Sequence, residues 1–180
     1  PNSRIEWPRI ELIGPELVSI GRDTYIRRHL CVEAFGPAGS VVVRFGDRVQ
    51  VGYYCRFVAV NGITLEDESC IGHGSTLAET VHTFKEVDEG VHWQAPLRVG
   101  EPLRIARGAW IGNNNVITGG ITIGEGAVTA PNSVITRNVP PETVVGGNPA
   151  QLMRRKRGAQ WEWLVDPELL DLETQLAIAE

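Results

Sequence analysis

The sequence predicts an all-β fold in which short strands follow one another around stacked coils, and three observations predict it. Aliphatic residues recur every six positions, turn-forming residues are frequent, and the period breaks once, between Leu77 and Leu103. The 180 residues, 42% of them hydrophobic, suffice for one domain with a real core and are too few for two ordinary ones. The 20 glycines and 11 prolines sum to roughly 17% of the chain, below the ~25–30% of unperiodic low-complexity chains. Aromatic residues make up only 7%. The chain is therefore punctuated often without having a disordered composition.

The period is clearest late in the chain. Ile105, Ile111, Ile117, Ile123, Thr129 and Ile135 are six residues apart, and a small or short residue follows each: Ala106, Gly112, Thr118, Gly124, Ala130 and Thr136. A helix of 3.6 residues per turn cannot keep a period of six on one face, and a plain strand would alternate by two. The pattern reads as flat strands of four or five residues separated by corners, three strands to a coil. Ile20, Ile26 and Val32 fit one earlier register, and Phe45, Val51, Phe57 and Ile63 a second. Leu65, Ile71 and Leu77 fit a third, displaced by two residues. Each displacement marks a small insertion at a corner. Glycines 52, 72, 112 and 124 each follow an aliphatic hexad start, where missing side chains permit close backbone approach between coils.

After Gly158 the spacing changes. Trp161, Leu164, Val165, Leu169, Leu170, Leu172 and Leu176 recur at near-helical intervals, and Asp166-Pro167 is a good helix start. This predicts a C-terminal α-helix over about 167–179 within an extension at 158–180, anchored by Trp161 and Trp163.

Charge and cysteine usage exclude several classes. With 17 basic and 22 acidic residues, net −5, the chain lacks the global cationic field of a nucleic-acid or anionic-membrane binder. No apolar run approaches the ~18 residues of a membrane span, and residues 1–15 hold no signal-peptide core, so no membrane insertion is expected. Cys31, Cys55 and Cys70 form no CxxC and no disulfide framework, which suits reduced thiols in a cytoplasmic protein.

The break in the period is where chemistry is expected. Residues 79–102 form a protruding loop carrying His82 and His92, and irregular stretches of this length inside compact domains are commonly functional. An imidazole, of ordinary pKa ~6.5, suits general-base work near neutrality.

The blocks Ala109-Trp110-Ile111-Gly112, Gly119-Gly120-Ile121-Thr122-Ile123-Gly124 and Val139 through Gly147-Asn148-Pro149-Ala150 together resemble the hexapeptide-repeat acetyltransferases over about residues 12–157. Glu79-Thr80-Val81-His82-Thr83-Phe84, with Gln94 beyond, is similar to the Asp-His-x-His-x-Tyr stretch of the sugar and polysaccharide O-acetyltransferase branch, the maltose- and galactoside-acetyltransferase-like enzymes. It departs from that stretch at Glu79, Thr80 and Phe84. The resemblance implies a left-handed parallel β-helix over 1–157, the handedness being rare among parallel connections. It further implies acetyl-CoA as acyl donor, no metal, and a homotrimer with active sites between subunits. His82 falls on the catalytic histidine, and Glu79 could orient it. Trp110 and Asn113 match positions along the pantetheine arm, and Ala130 and Pro131 match small positions whose backbone bonds it. Thr136, Arg137 and Arg154 match positions near the nucleotide phosphates, where arginine's planar fork of donors suits phosphate. Asn61, Glu66 and Asp67 are candidates for the acceptor, and Gly119-Gly120 for a corner that leaves room for the arm.

The implied reaction is direct acetyl transfer to a hydroxyl of a sugar, glycoconjugate or related small acceptor. A nucleotide-sugar N-acetyltransferase and an antibiotic-modifying acetyltransferase are alternatives on the same fold. A γ-type carbonic anhydrase would need three zinc histidines. His73, His82 and His92 are spaced by 9 and 10 residues, whereas that family sets two of its ligands five apart. A non-enzymatic β-helix scaffold is a further class.

Overall fold

The computed structural model describes residues 2–6, 10–82, 96–97 and 101–164, with backbone only for 81–82 and 96–97. The strands come in threes, each set one coil of a prism. The first coil is β1 (Arg4–Ile5), β2 (Ile10–Ile13) and β3 (Val18–Ile20); the second is β4 (Tyr25–Ile26), β5 (Leu30–Ala34) and β6 (Val43–Phe45). The third is β7 (Gln50–Val51), β8 (Arg56–Ala59) and β9 (Ile63–Leu65). The fourth holds β10 (Cys70–Ile71) and β11 (Thr76–Ala78), then β12 (Val81–His82) and β13 (Pro96–Leu97) within the excursion, and β14 (Leu103–Ile105) on its return. The fifth is β15 (Trp110–Ile111), β16 (Val116–Thr118) and β17 (Thr122–Ile123). The sixth has β18 (Val128–Thr129) and β19 (Val134–Ile135), closed by a bridge from Val139 to Ile123. A last rung, β20 (Thr143–Gly146), is followed by β21 (Gln151–Arg157) and β22 (Gln160–Trp163).

Like strands of successive coils pair in parallel and give the prism its three faces. On the first face Val51, Ile71, Ile111, Thr129 and Val145 lie in register. On the second the column is Val32, Phe57, Leu77, Ile117 and Ile135. On the third it is Phe45, Leu65, Ile105 and Ile123. All of these are buried: the six-residue period is the interval between inward-pointing residues at successive faces. The two-residue displacement is a longer corner between Phe57 and Leu65. Ile20 departs from the pattern and is 38% exposed; among the described residues no coil covers the outer side of its own.

Corners turn sharply by means of left-handed residues. Asp23, Arg48, Glu68, Gly108, Gly126 and Glu142 stand with positive φ between the third and first faces, and His29, Tyr54, Gly74, Asn114 and Asn132 between the first and second. The cysteines are free. Cys55 points into the core, donates to the Gly72 carbonyl at 3.2 Å, and burial pushes its thiol up to about 11. Burial also raises Cys31 and Cys70.

The C-terminal extension departs from the sequence expectation. β21 runs antiparallel to β20, and β22 antiparallel to β21, so Gln160–Trp163 is strand where a helical extension was expected from 158. Gly158, at φ +63, makes the turn. Trp161 and Trp163 are two apart and flank the same guanidinium, that of Arg154, which is strand alternation. The helix expected at 167–179 lies outside the described residues.

Candidate functional site

The corner between the second and third faces gathers most of the residues of interest. It is formed by 60–62 in the third coil, the excursion in the fourth, 119–121 in the fifth and 136–138 in the sixth. β11 ends at Ala78, and the next side chain, Glu79, turns into the corner and is 2% exposed. Its Oε1 accepts the backbone N–H groups of Val60 and Asn61 through short hydrogen bonds, and that of Gly62 at 3.2 Å. Three successive amides on one oxygen form an anion-binding nest, and the two extra residues of this corner supply it. Oε2 is buried and has no hydrogen-bond partner among the described residues.

The base of the excursion is a short antiparallel hairpin, Val81 opposite Leu97 and His82 opposite Pro96. Its return leg is seated on glycine. Leu103 N–H donates to the Gly62 carbonyl at 2.9 Å, and Gly119 N–H to that of Ala78 at 3.0 Å. A Cβ on Gly120 would fall on the carbonyl oxygen of Glu101. At Gly120 the space expected for a pantetheine arm is thus filled by the chain itself, whereas a Cβ on Gly119 would meet nothing closer than 4.0 Å. Gly120→Ala should displace residues 101–102 and destabilise the protein by roughly 1–3 kcal/mol, read as a lower urea midpoint at unchanged slope; an unaltered midpoint would contradict this packing.

The other residues expected from sequence divide among the edges of the prism. Asn61 lies in the nest, and Thr136 and Arg137 are exposed on the same edge. Asp67 stands on a different corner, where its Oδ1 accepts the Asp47 N–H at 2.8 Å, a rung between coils. Glu66 pairs with Arg104 at 2.6 Å and accepts the Arg107 N–H at 3.0 Å. Neither is brought to His82, because the corner after β9 lies on the next edge round the coil. That third edge also has an open notch of about 670 Å³ lined by Glu68, Arg107, Glu125 and Glu142.

Trp110 projects from the first face, 48% exposed. Asn113 sits at the corner beyond it, with Oδ1 accepting the His73 N–H at 2.9 Å; His73 Nδ1 in turn accepts the Tyr53 N–H at 2.9 Å. Ala130 is buried and Pro131 half-buried on that same edge. Arg154, expected near the nucleotide phosphates, is on β21 with its guanidinium 4.4 Å from the centre of the Trp163 ring. The other cations of β21 are paired nearby: Lys156 with Glu142, and Arg155 and Arg157 with Glu162. The missed feature is the nest, whose signal was the two-residue displacement of the hexads. The side chain of His82, with His92 and Gln94, lies outside the described residues. Among the described residues no group of three His, Cys, Asp or Glu side chains is placed to hold a metal, and no helix is long and apolar enough to cross a membrane.

Residues 102–137 match the family described as bacterial transferase hexapeptide (six repeats). The chain is 29% identical over 131 residues to WbbJ of Escherichia coli K12, which carries the designation of a lipopolysaccharide biosynthesis O-acetyl transferase, across 70% of this chain and 65% of WbbJ. It is 28% identical to the hexapeptide-repeat containing acetyltransferase VCA0836 of Vibrio cholerae, solved with acetyl coenzyme A, at a TM-score of 0.62 over 77% of this chain and 70% of that one. A variant of AntD, an N-acyltransferase from Bacillus cereus solved with dTDP and coenzyme A, superposes at a TM-score of 0.68 over 82% of this chain and 78% of its own; at 16% identity this is a likeness of fold. The matched stretch spans 53% to 65% of the length of the first curated relatives. Residues 102–137 thus carry the bacterial transferase hexapeptide repeat, and the coils stacked around them are similar to those of hexapeptide-repeat acetyltransferases.

Proposed function

We propose that this protein is an acetyl-CoA-dependent O-acetyltransferase that acts on a hydroxyl of a sugar, glycoconjugate or related small acceptor, with His82 as general base. The observation that carries the reading is the base of the excursion. Its hairpin holds the His82 backbone three residues after a buried carboxylate clamped to the corner, on the edge that also bears Thr136 and Arg137. A sugar hydroxyl attacks a thioester carbonyl only slowly unless its proton is taken as the bond forms, and a fixed imidazole does this. Holding both reactants in one cleft adds to the rate. Bound acetyl-CoA supplies the activated acetyl group; Arg137 and Thr136 would hold its phosphates. No acyl-enzyme thiolate is required, and burial raises all three thiols above their ordinary range.

Within one chain Asn113, Ala130 and Pro131 lie on another edge than the His82 backbone, and Trp110 lies on the first face beside them. In a homotrimer with cyclic symmetry, that edge of one copy faces the excursion of the next and completes the site. The O-acetyl designation of WbbJ favours a hydroxyl acceptor over an amine. The test is thiol release from acetyl-CoA across a panel of sugars, amino sugars and hydroxylated antibiotics, with and without chelator. Release that requires a hydroxylated sugar and survives chelation is expected. Failure to bind acetyl-CoA at millimolar concentration would point to a scaffold, and chelator-sensitive activity to a metalloenzyme.

A further inference from the structure

The edge between the first and second faces carries an unusual concentration of rings. All three tyrosines of the chain stand on or beside it, with two of the four histidines and three arginines. Tyr54, 66% exposed, stacks on His29 with ring centres 4.5 Å apart and planes 3° from parallel. One coil further on, Tyr53 stacks on His73 at 5.1 Å. The Arg27 guanidinium lies 4.5 Å from the Tyr25 ring centre and 5.3 Å from that of Tyr53, and Arg28 lies 5.7 Å from Tyr53. Arg4 stands 5.7 Å from Tyr25 on its other side. Glu6 is the single carboxylate in this group, paired with Arg27 at 3.1 Å and bonded to the Tyr25 hydroxyl. The patch is cationic on a chain whose net charge is −5.

Core packing does not explain it. The coils are already filled by the inward hexads, and the exposed corners elsewhere on this edge carry Asn114 and Asn132, ordinary left-handed turn residues. Aromatic faces ringed by guanidinium groups suit a ligand that has both apolar ring faces and negative charge. The patch is also continuous with the far end of the same edge: Tyr53, His73 and Asn113 are joined rung to rung by the hydrogen bonds described above. Three coil steps separate Arg28 from Asn113, about 14 Å at the usual ~4.8 Å between strands, longer than one pyranose ring.

We propose that this edge is the acceptor platform and that it takes an oligosaccharide bearing carboxylate or phosphate groups, stacked on Tyr54 and Tyr53 with its charge on Arg28. The proposal rests on the acetyltransferase reading, which it deepens by naming the acceptor class: Asn113 and Pro131 serve the coenzyme end of the edge, and the tyrosines the acceptor end.

The test reads binding directly, without turnover. A tetrasaccharide of alternating glucuronate and N-acetylglucosamine is titrated calorimetrically against the full chain, with chitotetraose as its uncharged counterpart and free glucuronate as the single-sugar arm. The charged tetrasaccharide should bind tightest. Arg28→Gln should weaken it about tenfold and leave chitotetraose unchanged. Tyr54→Asn, which keeps a residue suited to φ +58, should weaken both tetrasaccharides about tenfold. Acetyl-CoA affinity should not move in either variant. Binding of the charged tetrasaccharide that is absent in the wild type or unchanged in both variants overturns the proposal. So does sedimentation showing that the variants fall apart into monomers, which would make the patch a subunit seam. Failure of acetyl transfer to every sugar despite intact binding would instead count against the transferase reading.

Discussion

His82→Ala lowers acceptor-dependent release of the coenzyme thiol at least ~100-fold, while the oligomer and its affinity for acetyl-CoA stay as they are. The expectation follows from what the base does. Without it the hydroxyl must lose its proton to water as it attacks, and the departing thiolate receives none from the enzyme. Binding should be spared because, in the proposed site, Thr136, Arg137 and a neighbouring copy's Trp110 and Pro131 would hold the coenzyme. The wild-type rate should depend on pH through this base, and the variant should lose that dependence. Stopped-time thiol assays from pH 5 to 9 measure both. Unchanged turnover in a folded His82→Ala protein would move the base elsewhere, with His92 next to be tried.

Glu79→Ala should do two kinds of damage, and Glu79→Gln should separate them. Alanine leaves the amides of Val60, Asn61 and Gly62 without their acceptor, and Val60 and Gly62 are buried. A buried donor deprived of its partner costs about 1–3 kcal/mol, so the variant should lose about 3 kcal/mol by denaturant unfolding, with activity falling as the base of the excursion loosens. Glutamine keeps a carbonyl oxygen for the three amides and should retain stability to within about 1 kcal/mol, the loss reflecting a weaker, uncharged acceptor. What it changes is Oε2. If that oxygen orients His82, Glu79→Gln should lower kcat with little change in acceptor KM; if the carboxylate only fastens the loop, kcat should stay near wild type. Wild-type stability in Glu79→Ala would dismiss the nest as an anchor.

The coil stack was legible because one geometric fact, an inward side chain at each face, writes itself into every sixth residue. Even the two-residue slip between Phe57 and Leu65 could be located as a longer corner. Its use could not, since Glu79 meets amides 17 to 19 residues earlier and no local pattern announces a carboxylate reaching one coil back. Polar corner residues are ambiguous for a related reason. Asp67 and Asn113 have the chemistry of ligand contacts, and in the stack an oxygen of each also takes a backbone N–H of the coil before. At the C-terminus, Trp161 and Leu164 are three apart and fit a helix, whereas Trp161 and Trp163 fit a strand. The fold-back of β21 and β22 over the last rung decides between them, and Arg154 becomes a stacking partner of Trp163.

The excursion also has a thermodynamic meaning for how such proteins diversify. From Ile71 to its partner Ile111 the chain travels 40 residues, and from Ile111 to Thr129 only 18. Closing a loop of doubled length costs only about 0.6 kcal/mol more, small beside what the buried columns contribute. The segment at this corner can therefore be lengthened or exchanged at little thermodynamic cost, while the hydrogen-bonded frame on either side is left unaware of the change.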